Sequence, residues 1–163
     1  MAIGEYKLIK DNGNTLDEKT ILAEDGKVLA FDSSLNPVMK SFARLVQVKV
    51  VGDGSSLFAG DGIATFTIPA ELDGFKLSRA EMAVKTASSS GLISAMIRNV
   101  TLAYDMLSTA ITIDETELNS YSAATPSVVN PSYNTVSTGD TISIDIDSAG
   151  TGTKGGDIIL TFT

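Results

Sequence analysis

Residues 138–163 read TGDTISIDIDSAGTGTKGGDIILTFT, and this stretch decides the fold class. Over residues 142–147 isoleucine alternates with serine and aspartate, so one face of an extended segment is aliphatic and the other is polar. The alternation resumes over residues 158–162, where Ile158, Leu160 and Phe162 share the aliphatic face. A glycine-rich turn separates the two segments. The pattern therefore predicts two half-buried strands that pair as a closing hairpin.

Similar short segments recur upstream, separated by turns rich in glycine, proline and serine. Between residues 42 and 163 we expect seven to nine strands, and no long amphipathic helical pattern lies between them. Local patterns predict a short helical turn over residues 70–75, a strand over residues 77–87, and a long ordered loop with one extended segment over residues 119–134. Strands without crossover helices favour an all-β fold, an antiparallel β-sandwich.

Residues 1–41 differ from the rest of the chain in their sequence pattern, because turn motifs such as DNGN, EDG and SSLNP interrupt every short apolar segment. These segments are too short and too sparsely apolar to form a core of their own. An unordered tail is one interpretation, but the aliphatic content favours an extended arm that orders on a partner or on sister subunits. The predicted interaction residues of this arm are Tyr6, Leu8, Ile9, Leu22, Val28, Leu29 and Phe31.

This change of sequence pattern near residue 42 predicts two domains. Residues 1–41 form an N-terminal extended arm for assembly and anchoring, and residues 42–163 form the β-sandwich domain. The boundary is placed at Phe42, where regular alternation of apolar and polar residues begins.

The composition excludes several classes of function. The net charge is −8 and the 12 lysines and arginines are scattered singly, so we expect no nucleic-acid partner. No run of about 18 apolar residues occurs, so we expect no membrane partner. The chain has no histidine and no cysteine, which rules out Ser-His-Asp and Cys-His catalysis and thiolate metal sites within it. We therefore expect no catalytic residues and no cofactor.

Carboxylates are the remaining candidates for chemistry. Asp145 and Asp147 share the polar face of a predicted strand, and Asp114, Glu115 and Glu117 lie close together in sequence. Paired carboxylates in a cleft can hydrolyse glycosides, but no group of aromatic residues accompanies these. We favour the interpretation that Asp145 and Asp147 are solvated charges, which prevent their strand from pairing with a wrong partner. The two GDG motifs could each offer a single calcium ligand, but GDG is first a turn motif, and we expect no metal site.

Five blocks of sequence stand in a fixed order across roughly residues 58–163: GDGIATFTIPAELDGFKL, TASSSG, IRNVT, YDMLSTAITID and AGTGTKGGDIILTF. Together they resemble a β-sandwich domain that recurs in structural proteins of tailed bacteriophages. The resemblance implies a jelly-roll-like sandwich that assembles as a homotrimer on the virion, in capsid decoration, head-fibre or tail-fibre proteins. It implies no active-site residues, and residues 1–41 lie outside it.

The residues and the resemblance together predict a non-enzymatic virion protein. The favoured form is a trimeric capsid decoration (cement) protein or short head fibre on the capsid surface, whose residues 1–41 bind the major capsid protein or other virion proteins. The alternative is a tail-associated adhesin that binds a host surface glycan or protein through the loops at residues 88–91 and 121–133. Adhesins commonly contact sugars with exposed aromatic rings, and the candidates are Tyr121 and Tyr133.

Overall fold

Antiparallel strands form nearly all of the regular structure. The computed structural model describes the backbone of residues 27–31 and 37–41 and the whole of residues 43–163. The helical segments in these residues are two 3-10 turns, Ala70–Leu72 and Ser120–Ser122. Within the described ranges, no helix has the length and apolar character needed to cross a membrane. The strands are β1 (Lys27–Phe31), β2 (Pro37–Ser41), β3 (Arg44–Ser56), β4 (Gly60–Thr67), β5 (Leu77–Ala83), β6 (Ile93–Asn99), β7 (Tyr104–Asp105), β8 (Leu107–Thr109), β9 (Ile111–Ile113), β10 (Val128–Val129), β11 (Thr141–Ala149) and β12 (Lys154–Phe162).

The chain divides into two units, Met1–Phe42 and Ala43–Thr163. In the first unit, β1 and β2 form an antiparallel pair that brings Lys27 opposite Ser41. β1 follows the EDG turn motif directly, and β2 begins at the last residue of the SSLNP motif, where the sequence predicted a break. Pro37 is the first residue of β2, a position where proline is tolerated although it has no N–H to donate. The independence of an arm over residues 1–41 stays a prediction.

The second unit is a sandwich of two antiparallel sheets. One sheet has three strands in the order β3–β12–β5. The other has five strands: β4, β11 and β6 follow one another, and both β7 and β9 pair with β6. A separate pair joins β8 and β10. The predicted all-β antiparallel sandwich is confirmed, and its strands outnumber the expectation because some, such as β7 and β10, have only two residues.

The hydrophobic core lies between the two sheets. The isoleucines of β11 are buried, as the alternation predicted, and so are the aliphatic and aromatic residues predicted to face inward from β12. Both sets belong to one continuous core cluster. The buried members from these two strands are Ile142, Ile144, Ile146, Ile158, Leu160 and Phe162.

The predicted closing hairpin is wrong, because β11 and β12 lie in different sheets. β11 pairs with β4 and β6, and β12 pairs with β3 and β5, so each is a central strand. Alternation of apolar and polar residues specifies which face of a strand is buried, but it does not specify the neighbouring strand. The connecting turn crosses from one sheet to the other. Gly150 and Gly152 have positive φ angles there, 63° and 75°, which residues with a Cβ rarely adopt.

The long loop predicted over residues 119–134 covers the outer edge of β5. Ser127 Oγ donates a hydrogen bond to the carbonyl oxygen of Ala80 at 2.7 Å, and the amide of Met82 donates to Ser120 Oγ at 3.0 Å. The loop contains one 3-10 turn and β10, so the predicted ordered loop with one extended segment is confirmed. Covering the edge in this way prevents another strand from pairing with β5.

Two local predictions concern residues 70–87. The predicted helical turn is confirmed as the 3-10 turn Ala70–Leu72. The predicted strand is confirmed as β5, but it ends at Ala83. Beyond that residue the amide of Val84 donates to the carbonyl oxygen of Leu118, in the segment that leads into the covering loop.

Candidate functional site

An open groove of about 730 Å³ crosses the outer face of the five-stranded sheet, and we call it the acidic groove. Cross-strand register brings its residues together, since Ser143 of β11 lies opposite Thr65 of β4 and Arg98 of β6. The lining has four carboxylates, one guanidinium and two hydroxyls, completed by one glycine and two apolar residues. These are Asp61, Asp105, Asp145, Asp147, Arg98, Thr65, Ser143, Gly62, Met96 and Val100.

Asp145 is the one buried carboxylate of the acidic groove, with 8% of its surface exposed. Its Oδ1 accepts two hydrogen bonds, from the amide of Gly62 at 2.7 Å and from Ser143 Oγ at 3.0 Å. Within residues 43–163, no group donates a hydrogen bond to Oδ2. One oxygen of this carboxylate is therefore held by the fold, and the other is available to a ligand in the groove.

The interpretation of Asp145 and Asp147 as two solvated charges is wrong for Asp145. Asp147 is exposed, but Asp145 and Ser143 are buried, the latter with 3% of its surface exposed. The cause is the position of β11 between β4 and β6, whose side chains flank its outer face on both sides. A buried carboxylate needs hydrogen-bond donors, and Gly62 and Ser143 supply them.

The second GDG motif helps to build this site. The register between β11 and β4 is irregular, because Ile144 lies opposite Ala64 whereas Ile146 lies opposite Gly60. The extra residues of β4 form a bulge that includes Asp61 and Gly62, and both line the groove. Bulges commonly redirect groups of a strand toward a functional site. Here the bulge directs the Gly62 amide to a side chain instead of a neighbouring strand.

The acidic groove carries unbalanced negative charge. Four carboxylates face a single guanidinium, which gives a formal net charge of −3. That guanidinium, on Arg98, forms an ion pair with Asp105 at 3.1 Å. For Asp61, Asp145 and Asp147, residues 43–163 supply no ion-pair partner. A groove lined by one sign of charge concentrates ligands of the opposite sign.

The first GDG motif contributes to an ion-pair network on the three-stranded sheet. Lys49 Nζ donates to Asp53 at 2.7 Å and to Asp157 at 2.9 Å. The hydrogen bond from Lys49 lowers the pKa of Asp53, and the bonds to Asp53 and then Asp157 raise the pKa of Lys49. Exposed pairs of this kind contribute little to stability. In the part of the chain that the structure describes, no three acidic side chains are grouped so that they could hold a metal ion.

The predicted interaction residue Tyr133 is part of the packing of its loop. Its ring stacks on that of Tyr104, with the centroids 4.7 Å apart, and the Tyr104 hydroxyl donates to the carbonyl oxygen of Thr135 at 3.3 Å. Burial raises the pKa of Tyr104, and the charge of Asp140 raises it further. The ring of Tyr133 therefore presents only one face to a ligand.

The predicted interaction residue Tyr121 lies in different surroundings. Its side chain is 64% exposed, and it borders a hollow of about 240 Å³ beside β5. Arg79 and Glu81 line the same hollow and form an ion pair with each other. An exposed aromatic ring beside polar groups is a suitable platform for a sugar.

The serine-rich loop over residues 88–91 stabilises the turn between the two sheets. Ser88 is buried, and its Oγ donates to the carbonyl oxygen of Ser90 at 2.6 Å and accepts from the amide of Thr151 at 3.0 Å. The amide of Ser89 donates to the carbonyl oxygen of Thr151 at 2.9 Å. These groups are used within the fold, so the loop is a weaker candidate for glycan binding than the sequence suggested.

The remaining predicted interaction residues belong to the first unit. In β1, where the structure describes the backbone alone, lie Val28, Leu29 and Phe31. Outside the described residues lie Tyr6, Leu8, Ile9 and Leu22. The assembly roles of all seven stay predictions.

Sequence reasoning missed the acidic groove, and in particular Arg98, Asp105 and Thr65. A partial signal was present, because alternation with Ile97 places Arg98 on the outward face of its strand. The outward position of Arg98 indicates a groove only when the strand order is known, because that order brings β4, β6 and β11 side by side.

In comparisons with known proteins, no family and no curated protein matches this chain. The functional inference therefore rests on the residues of the chain, the order of its strands and the chemistry of its surfaces.

Proposed function

We propose that this chain is a non-enzymatic structural protein of a bacteriophage virion, either a trimeric capsid decoration (cement) protein or a short head fibre. The observation that carries the proposal is the strand order. The last two strands insert between earlier ones: β11 lies between β4 and β6, and β12 lies between β3 and β5. This insertion supports a jelly-roll arrangement, which viral capsid domains commonly use.

The division of the chain supports an attachment role for its N-terminal part. Met1–Phe42 forms a unit distinct from the sandwich of residues 43–163. A distinct unit can bind another protein without rearranging the core of its neighbour in the chain. We assign residues 1–41 to attachment on the major capsid protein, or on another virion protein, at the capsid surface.

Partly covered apolar side chains on one side of the sandwich support assembly as a homotrimer. β3 and β4 each pair with one strand only among the described residues. Val46 and Val48 of β3 and Phe66 of β4 pack against the core but are only half-buried. Association with other copies would bury such side chains and stabilise the folded state.

Removal of residues 1–41 is expected to abolish attachment to the virion without unfolding the sandwich. Full-length protein added to particles that lack it will co-sediment with them, and residues 42–163 will remain in the supernatant. Residues 42–163 will still unfold in one cooperative transition, because the core cluster lies in that part of the chain. Loss of that transition would contradict the assignment of residues 1–41 as a separate arm, and co-sedimentation of the truncated protein would contradict their role in attachment.

A second candidate function is a tail-associated adhesin for a host surface glycan, and the exposed ring of Tyr121 favours it. If the hollow beside β5 binds sugar, Tyr121→Ala is expected to weaken glycan binding about tenfold, which corresponds to the loss of one stacking contact. Phe58→Ala, which removes another exposed aromatic ring, is the matched control. A glycan array followed by calorimetry measures both variants. No glycan bound by the wild-type protein, or equal losses in the two variants, would contradict this candidate.

A further inference from the structure

We propose that the acidic groove is a subunit contact, in which a second copy of this chain inserts the ammonium groups of Lys85 and Lys154. The inference rests on the homotrimer of the proposed function and identifies where its subunits meet. Its starting point is the three carboxylates of the groove, Asp61, Asp145 and Asp147, that have no ion-pair partner within residues 43–163.

The chemistry of the groove selects a cationic occupant. Asp145 is buried, its Oδ1 is held by the Gly62 amide and Ser143 Oγ, and its Oδ2 lacks a donor within residues 43–163. Oδ2 is not among the buried side-chain atoms of the described residues that lack a partner, so it is open to the groove, where an ammonium group could donate a charge-assisted hydrogen bond to it. The lining contains no aromatic residue on which a sugar ring could stack.

The shape of the groove suits side chains instead of a single small ion. The groove is open, and its volume of about 730 Å³ leaves room for two side chains. The carboxylates are spread along the groove, since no three acidic side chains of the described residues converge as metal ligands do. Two lysine side chains that enter side by side would distribute their charges over Asp61, Asp145 and Asp147.

Lys85 and Lys154 form a matching pair of cations on the other sheet. The two residues are adjacent, because the Lys85 amide donates to the Lys154 carbonyl oxygen at 2.9 Å, and both are exposed. Within residues 43–163, neither ammonium group forms a hydrogen bond or an ion pair. Lys85 interacts through space with Asp53, but Asp53 is hydrogen-bonded to Lys49.

The two charged surfaces belong to different sheets of the sandwich. The lysines follow β5 and begin β12 in the three-stranded sheet, whereas the acidic groove lies on the five-stranded sheet. A contact between two different surfaces of identical copies is heterologous, and such contacts close into rings when the rotation between copies permits. A cyclic trimer is one such ring, so the pairing of groove and lysines agrees with three-fold assembly.

Mass photometry and sedimentation velocity of the full-length protein test the contact. The groove variant is D61N/D147N, which replaces exposed carboxylates, and the lysine variant is K85E/K154E. Each is expected to raise the dissociation constant of the trimer about tenfold or more, and salt is expected to weaken the wild-type trimer. The control is E71Q/E115Q, which makes the same charge change at exposed residues outside the groove and is expected to leave the trimer intact. Circular dichroism confirms that each variant is folded.

A charge swap completes the test. D61K/D147K combined with K85E/K154E is expected to restore the trimer that each half of the swap disrupts. A wild-type trimer that persists in the groove and lysine variants would overturn the contact while leaving the proposed homotrimer in place. A monomer at every concentration would overturn the homotrimer as well. A third outcome is that the groove variants keep the trimer but no longer bind a basic partner protein. The groove would then be the binding site of that partner, and the proposal that a second copy occupies it would be overturned.

Discussion

Replacing Ile144 by aspartate is expected to destabilise the sandwich severely. Ile144 is fully buried in the middle of β11, between Ala64 of β4 and Ile97 of β6. An unpaired charge at this position would cost roughly 4 kcal/mol or more, a large part of the stability of an ordinary domain, about 5–15 kcal/mol. Urea denaturation followed by circular dichroism measures the loss.

The matched control for Ile144→Asp is Asp145→Asn on the other face of the same strand. The asparagine keeps a carbonyl oxygen that can accept from the Gly62 amide and Ser143 Oγ, the donors that now bind Oδ1. This variant is therefore expected to lose less than about 1 kcal/mol. Equal losses in the two variants would show that the core-facing side of β11 has been assigned incorrectly.

Replacing Gly150 by alanine is expected to cost about 3 kcal/mol or more, through backbone strain and overpacking. Gly150 has a φ of 63°, and a Cβ there would lie 2.2 Å from Ser88 Oγ and 2.6 Å from Ser88 Cβ. Ser88 would have to move, and it would lose the hydrogen bond that its Oγ accepts from Thr151. Thermal and urea unfolding measure the change.

Gly152→Ala is the control that separates the two causes of the stability loss in Gly150→Ala, the clash with Ser88 and the strain of the backbone. Gly152 also has a positive φ, 75°, but the nearest atom to a Cβ there would be Ser89 Oγ at 3.9 Å. This variant is expected to lose only about 1 kcal/mol, the cost of the left-handed backbone alone. A loss as large as that of Gly150→Ala would contradict the close packing of Ser88 against the turn between β11 and β12.

The sequence was sufficient for the fold class and for the buried faces of the two decisive strands. Alternation over residues 142–146 correctly placed Ile144 inward, because the period of two is imposed by the backbone itself. The sequence was insufficient to predict which strands pair with β11 and β12. The same alternation is compatible with a hairpin of these two strands and with their placement in opposite sheets. The turn over residues 150–153 resolves the choice through contacts with Ser88, which is distant in sequence.

The acidic groove could not be predicted for a related reason. Its carboxylates come from β4, β7 and β11, and only the order of the strands makes them neighbours. The burial of Asp145 also depends on that order, because a hairpin strand at the edge of a sheet would leave its outer face open to water. The GDG bulge at Gly62 was visible as a turn motif, but its hydrogen bond to Asp145 joins residues far apart in the chain.

The proposed contact between copies connects the fold to assembly. If Lys85 and Lys154 of one copy enter the acidic groove of the next, the three sandwiches are held together without the N-terminal unit. Residues 1–41 then remain available for the virion. Assembly and attachment would in that case use different parts of the chain, so groove variants should weaken the trimer and arm deletions should weaken only attachment.

Cryo-electron microscopy of purified particles, with a gold label on an N-terminal tag, tests most directly whether this chain is a structural protein of the virion. We predict density for three sandwiches around a three-fold axis on the capsid surface, with the label at the capsid. Absence of the protein from particles that are otherwise complete would contradict the proposed function.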